Sequence, residues 1–238
     1  MTDVAQIWSY LSAEPLLWLT CTMLVYIAAD RLSLRLGRHP LANPVLMAVA
    51  AIAAVLWVAR VPYKTYFEGA QFIHFLLGPA TVALAVPLYA NLATIRRTAL
   101  PMLAALLAGS LAAAVSAVAL AWAFGLPDQV IISIAPKSTT APVAIGISDK
   151  LGGLPTLTAV MVILTGITGA MTVTPLMNAL GIRDWRARGF AVGVASHGIG
   201  TARAFQVNEL AGAFAGIGMA LNAVLTSLLV PLVLALVL

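Results

Sequence analysis

Ala135-Pro136-Lys137-Ser138-Thr139-Thr140-Ala141-Pro142 sets a lysine, three hydroxyls and two prolines between apolar runs. Each proline removes a backbone donor and disfavours helix at the residue before it, so this stretch breaks any helix that reaches it. A second polar break, Ala195-Ser196-His197-Gly198-Ile199-Gly200-Thr201-Ala202-Arg203, follows later in the chain. Whether these breaks lie in water or in lipid decides what the chain is.

Composition places them in lipid. Hydrophobic residues make up 62% of the 238 residues and charged residues 9%, and the mean hydropathy is strongly positive. A soluble domain of this length has too little interior to hide so much apolar surface. At membrane depth, non-helical backbone and charge persist only where they are buried in protein or line a wet cavity. The net charge of +5 resides in short loops between apolar runs, where it reads as a topology signal and as contacts to lipid headgroups rather than to nucleic acid. The single cysteine, Cys21, permits no intrachain disulfide or thiolate metal cluster and is expected to pack as a small apolar residue. Asp3 and Glu14 stand where a signal peptide needs positive charge, so no cleavable leader is expected.

Apolar segments are expected at roughly 15–29, 43–59, 72–95, 99–123, 128–149, 154–180, 187–208 and 211–237. The fold expected is an all-α polytopic membrane protein with about 8 hydrophobic segments, a single integral membrane domain over 1–238. Three basic groups lie between segments: Arg31, Arg35, Arg38 and His39; Arg96 and Arg97; Arg183, Arg186 and Arg188. The positive-inside rule assigns all three to the cytoplasm. If 128–149 and 154–180 both cross fully, Arg183, Arg186 and Arg188 fall outside. If 128–149 turns back at its polar centre, they fall inside. Broken or re-entrant helices are therefore expected around 128–149 and 187–208, the rival to re-entry being a pair of broken helices that span.

Thr140-Ala141-Pro142-Val143-Ala144 before Asp149-Lys150-Leu151 is similar to Thr201-Ala202-Arg203-Ala204-Phe205 before Asn208-Glu209-Leu210, and each leads to a long apolar segment with a late proline, Pro175 or Pro231. One span between the copies would make them inverted in the membrane, a recurrent carrier plan. Segments rich in Ala, Gly and Leu also look alike by composition alone.

The candidate binding residues follow from the breaks. Half-helix N-termini carry unsatisfied amides and partial positive charge; Lys137, Ser138, Thr139 and Thr140 add donors for a carboxylate. The competing reading has Lys137 snorkelling and the hydroxyls bonded to preceding carbonyls. In the second break Gly198 and Gly200 allow close backbone approach, Thr201 adds a hydroxyl, Arg203 can grip a carboxylate with two parallel bonds, and His197 can donate or carry a proton, unless it is simply a packed histidine. Thr81, beside Gly78-Pro79, is a candidate lining residue, and Asn222 is either a site residue or a bond between helices. Gly189, Gly193, Gly212 and Gly216 form small-xxx-small pairs suited to close helix packing. The chain carries no HExxH, GxSxG, P-loop or metal-spaced cluster, so no enzyme activity and no cofactor is expected.

Gly78-Pro79-Ala80-Thr81-Val82-Ala83-Leu84-Ala85-Val86-Pro87-Leu88-Tyr89, Pro136-Lys137-Ser138-Thr139-Thr140-Ala141-Pro142, Gly166-Ile167-Thr168-Gly169-Ala170 and His197-Gly198-Ile199-Gly200-Thr201-Ala202-Arg203, in this order, resemble the LrgB/CidB family. That family was named for antiholin-like or murein-hydrolase regulators. Its plastid relatives, fused to an LrgA-like domain, are glycolate/glycerate translocators, and bacterial pairs of the LrgAB type have been tied to pyruvate uptake. The resemblance implies a secondary carrier of small monocarboxylates or 2-hydroxy acids, of the glycolate, glycerate, lactate or pyruvate class, coupled to H⁺ or Na⁺, in the bacterial inner membrane. It also implies a small LrgA/CidA-like membrane partner; a homodimer is a reasonable expectation for a small carrier. The alternative is a holin- or antiholin-like regulator of permeability and murein hydrolysis, which leaves Lys137, Ser138, Thr139, Thr140 and His197 at membrane depth without a purpose.

Overall fold

The computed structural model describes residues 14–76 and 92–238, with 79, 82, 83 and 89 between them. All regular elements among the described residues are α-helices. Thr81 and most of the 72–95 segment after Leu76 lie outside the described residues. The chain divides into two units, Met1–Ala85 and Val86–Leu238.

The first unit contains α1 (Pro15–Arg35), α2 (Pro44–Val58) and α3 (Tyr63–Phe75). Proline opens α1 and α2, where its missing donor costs nothing. Asn43 caps α2 by accepting from Val45 and Leu46 amides at 2.9 and 3.2 Å. Helix α1 runs past Asp30 and Arg31, where the apolar pattern ended, and Arg38 beyond it pairs with Asp30 at 2.5 Å. The aromatic-rich stretch Tyr63–Phe75 is α3. It packs on α1 through an edge-to-face pair, Trp18 and Tyr66, with centroids 5.9 Å apart. Gly69 faces the Pro15 carbonyl so closely that a Cβ there would overlap it.

The second unit contains α4 (Leu92–Arg97), α5 (Ala99–Ala123), α6 (Asp128–Ile134), α7 (Ala141–Lys150), α8 (Pro155–Ala179), α9 (Trp185–Val207) and α10 (Glu209–Ala235). Helices α5, α8 and α10, with 25, 25 and 27 residues, are long and apolar enough to cross a membrane, as is α1 in the first unit.

Helices α6 and α7 form a hairpin. The Ser133 hydroxyl near the end of α6 accepts from the Leu154 amide, beyond the end of α7, at 2.7 Å. Had α7 continued the direction of α6, its ten residues alone would add about 15 Å between these atoms. A Cβ on Gly153 would touch both the Ser148 and Ser133 hydroxyls, which fixes the base of the hairpin at the turn into α8. The 128–150 segment therefore turns back on itself, the shape that the re-entrant reading calls for.

Helix α9 also folds back, at Ser196 (φ −136, ψ 17) and His197 (φ 42, ψ −137). A Cβ on Gly200 would lie 2.8 Å from the Val192 side chain, and Val192 shares one buried cluster with Ala204; in a straight helix those two residues would stand about 18 Å apart. Gly189 meets the Ala211 carbonyl and Gly193 meets the Ala215 carbonyl, equal steps of four along both helices, so the first half of α9 runs parallel to the start of α10. Consecutive parallel helices require the chain between them to double back, and 198–207 does so.

Two hairpins thus enter from opposite ends, with α8 crossing between them. The apolar packing divides the same way. Ala114, Val118 and Ala121 of α5 and Val230, Val233 and Leu234 of α10 enclose the first hairpin through Ile131, Ala135 and Ile147. Met102 and Leu106 of α5 and Phe214 and Ile217 of α10 enclose the second through Phe190 and Val194. The inverted repeat is present as architecture, and it puts Arg96, Arg97, Arg183, Arg186 and Arg188 at the same end of the unit, as positive-inside placement demands.

Candidate functional site

The hairpin tips meet at the middle of α10. Asn222 is the central residue of Glu209–Ala235 and is 1% exposed. Its Nδ2 donates to the Ser138 carbonyl in the first tip at 3.1 Å and to the Val194 carbonyl beside the second tip at 3.0 Å. Its Oδ1 accepts from the Ser110 hydroxyl at 2.6 Å and the Thr226 hydroxyl at 3.1 Å. Broken helices leave carbonyls without amide partners, and lipid offers none. An amide side chain supplies two donors and two acceptor positions, and here all are used. Asn222 is accordingly the bond between the breaks; its hydrogen-bonding capacity is taken up by protein. Ser110, near the centre of α5, and Thr226 were missed by sequence reasoning. A serine at the midpoint of an apolar span was the available signal for the first.

The second tip rests on the middle of α8. His197 Nε2 donates to the Val162 carbonyl at 2.9 Å; since a carbonyl only accepts, Nε2 carries the proton. Gly166 and Gly169 face the tip, and a Cβ on either would run into the His197 ring or the Ser196 hydroxyl. The positive φ of His197 lies where side chains other than glycine are strained, so the surrounding contacts hold it there. The Thr201 hydroxyl donates back to the His197 carbonyl at 2.8 Å, the local bond expected of a hydroxyl at a helix break. Gly200 is packed between Val192 and Ser196, whereas Gly198 is exposed.

In the first tip Ser138 is 7% exposed and Thr139 is fully buried; Lys137 and Thr140 are half-buried. Thr140 is the N-cap of α7 but makes no side-chain cap, and Pro142 occupies the first turn. The positive end of α7 thus faces the membrane centre uncapped. Next to it the Thr139 hydroxyl is buried with no hydrogen-bond partner, a state that costs about 1–3 kcal/mol.

Arg203 is buried but lies away from this node. It lines a small cleft with Val173, Trp185 and Arg188, two turns along the returning half of α9. Arg188 there donates to the Ile182 carbonyl and to Asn178 at 2.6 and 2.5 Å, and its guanidinium sits 5.0 Å over the Trp185 ring. The structure therefore unites Ser138, Thr139, Thr140 and Asn222 at one centre, sets His197 against α8 beside it with Thr201 bonded to the His197 carbonyl, and places Arg203 nearer the basic end. Among the described residues no group of three or more His, Cys, Asp or Glu could hold a metal.

The LrgB-like family model matches residues 22–236. The chain is 39% identical to the Bacillus subtilis uncharacterized protein YxaC over 212 residues, covering 89% of this chain and 92% of that protein. It is 35% identical to the holin-like protein CidB of Staphylococcus epidermidis over 218 residues, covering 92% and 95%, and 34% identical to CidB of Staphylococcus aureus over the same span. No solved structure matches. With a family match that takes in both hairpins and every helix of the second unit, this chain belongs to the LrgB-like family.

Proposed function

We propose that this membrane protein is a secondary carrier of small monocarboxylates or 2-hydroxy acids, of the glycolate, glycerate, lactate or pyruvate class, that it works with an LrgA-like partner, and that it is not an enzyme. The observation that carries this reading is the first tip: an uncapped α7 N-terminus beside the partnerless buried hydroxyl of Thr139. Amides at a helix N-terminus and a hydroxyl donor suit a carboxylate, and Lys137 on the same tip adds positive charge. Opposed hairpins that meet at the bilayer centre are the arrangement in which a central site is opened to either side in turn. Proton or sodium coupling supplies the driving force, with His197 the residue chemically suited to carry a proton.

Uptake of radiolabelled glycolate, glycerate, lactate and pyruvate into proteoliposomes holding the protein and its partner tests the proposal. Saturable uptake of at least one acid supports it; no uptake of any sinks it. A second reading is favoured by the names of the staphylococcal relatives, holin-like proteins CidB: control of membrane permeability. Depolarisation of cells on expression without any transportable acid would establish that reading instead.

A further inference from the structure

Between α5 and the first half of α9 runs an apolar groove of about 560 Å³. Its rim is built from small side chains, including Ala105, Gly109, Ala191 and Ala195, and Met102 and Phe214 lie along it. At one end are Thr98 and the Asp184–Arg186 ion pair. The other end closes at Ala113 and Ala195, where α9 turns away into its hairpin.

We infer that this groove holds one acyl chain of an anionic phospholipid, with the phosphate at its basic mouth. Depth selects a lipid over a transmembrane helix. From Thr98 to Ala113 the groove follows about 22 Å of α5, half of the ~40–45 Å bilayer with its headgroup zones. It stops at Ala113, just past the midpoint of α5, so a helix crossing the whole membrane would have a seat for only half its length, while a lipid of one leaflet fills it. Charge selects an anionic headgroup. Arg96 and Arg97 end α4 immediately before Thr98, and Arg183 precedes α9; all three are exposed. Asp184 is the acidic group at the mouth, and Arg186 answers it, so the three arginines give that end an excess positive charge. The apolar rim offers nothing to a small carboxylate, so the groove is separate from the tip region and stands whether or not transport does.

Native mass spectrometry of the full-length protein, titrated with dioleoyl phosphatidylglycerol or dioleoyl phosphatidylcholine, tests this. One phosphatidylglycerol is expected to be retained in preference to phosphatidylcholine. Arg96→Gln, Arg97→Gln and Arg183→Gln should each weaken retention about fivefold, and Arg60→Gln should leave it unchanged. Ala105→Leu and Ala187→Leu fill the groove from exposed positions and should abolish retention without loss of helical circular dichroism. Equal retention of the two lipids, or retention indifferent to both leucines, overturns the inference. So does photo-cross-linking from position 191 in membranes that yields a peptide adduct instead of a lipid adduct.

Discussion

Asn222 and Ser138, 84 positions apart, are joined by a 3.1 Å hydrogen bond from amide to carbonyl, and the same amide reaches the Val194 carbonyl at 3.0 Å. Replacement by alanine strands two carbonyls and two hydroxyls at once. Each buried group left unsatisfied costs about 1–3 kcal/mol, though partners found within the membrane reduce such losses to nearer 1 kcal/mol. Asn222→Ala should therefore lower the melting temperature in detergent clearly, and uptake should fall with it. Asn222→Asp, which keeps the acceptor and loses both donors, should do nearly as much. An unchanged melting temperature for either variant would remove the node from the account.

The packing of α9 on α10 allows a second test. Gly193 faces the Ala215 carbonyl with no room for a Cβ, so Gly193→Ala must push the helices apart, at a cost of about 1–3 kcal/mol. Gly146, which has nothing within 4 Å of its Cβ direction, is the matched control. Substitution there by alanine should be neutral or slightly stabilising through helix propensity. Thermal unfolding of the two variants in one detergent makes the comparison.

Hairpin topology predicts labelling. In a Cys21→Ser background, Leu126→Cys and Thr156→Cys should react with impermeant maleimide from one side of the membrane, and Arg183→Cys and Glu209→Cys from the other. Reaction of Leu126→Cys and Thr156→Cys from opposite sides would mean that 128–150 spans.

Acid should weaken the start of α9. Asp184 accepts from the Arg186 amide and pairs with its guanidinium, and the Arg186 side chain is the first cause holding the Asp184 carboxyl at about 2. The folded value lies below the unfolded value of about 3.9, so the contribution is complete above pH ~4 and disappears as pH falls through about 2. The pair is exposed, and solvent screening keeps the effect small. Melting temperatures of the wild type and Asp184→Asn should differ slightly at pH 7 and converge near pH 2.

For transport, Thr139→Val removes the partnerless hydroxyl while keeping shape, and should weaken uptake with little loss of stability, since no protein bond is broken; uptake equal to that of the wild type would take Thr139 out of the transported acid's site.

Much of this was legible in sequence because lipid makes polar residues conspicuous. Pro136, Lys137, Ser138, Thr139, Thr140 and Pro142 announced the first tip, and the placement of Arg183, Arg186 and Arg188 favoured re-entry. Asn222 stood out as a lone amide. What escaped was carried by groups without a sequence signature: the carbonyls of Ser138, Val194 and Val162, whose availability depends on where helices break. Arg203 belongs to the second break in sequence, yet the fold-back of α9 carries it toward Trp185 and Arg188. The pairing of Asp30 with Arg38, which lies beyond α1, was likewise invisible in sequence.

The position of Asn222 in chain order bears on how the protein is made. Helix α6 has seven residues and α7 ten, too few for either to cross a bilayer unaided, and both leave the ribosome long before the residue that ties their tip to the second hairpin. Until residue 222 has been inserted, neither hairpin has its central bond. A chain cut short before that point retains all its polar breaks and lacks the one amide that reconciles them.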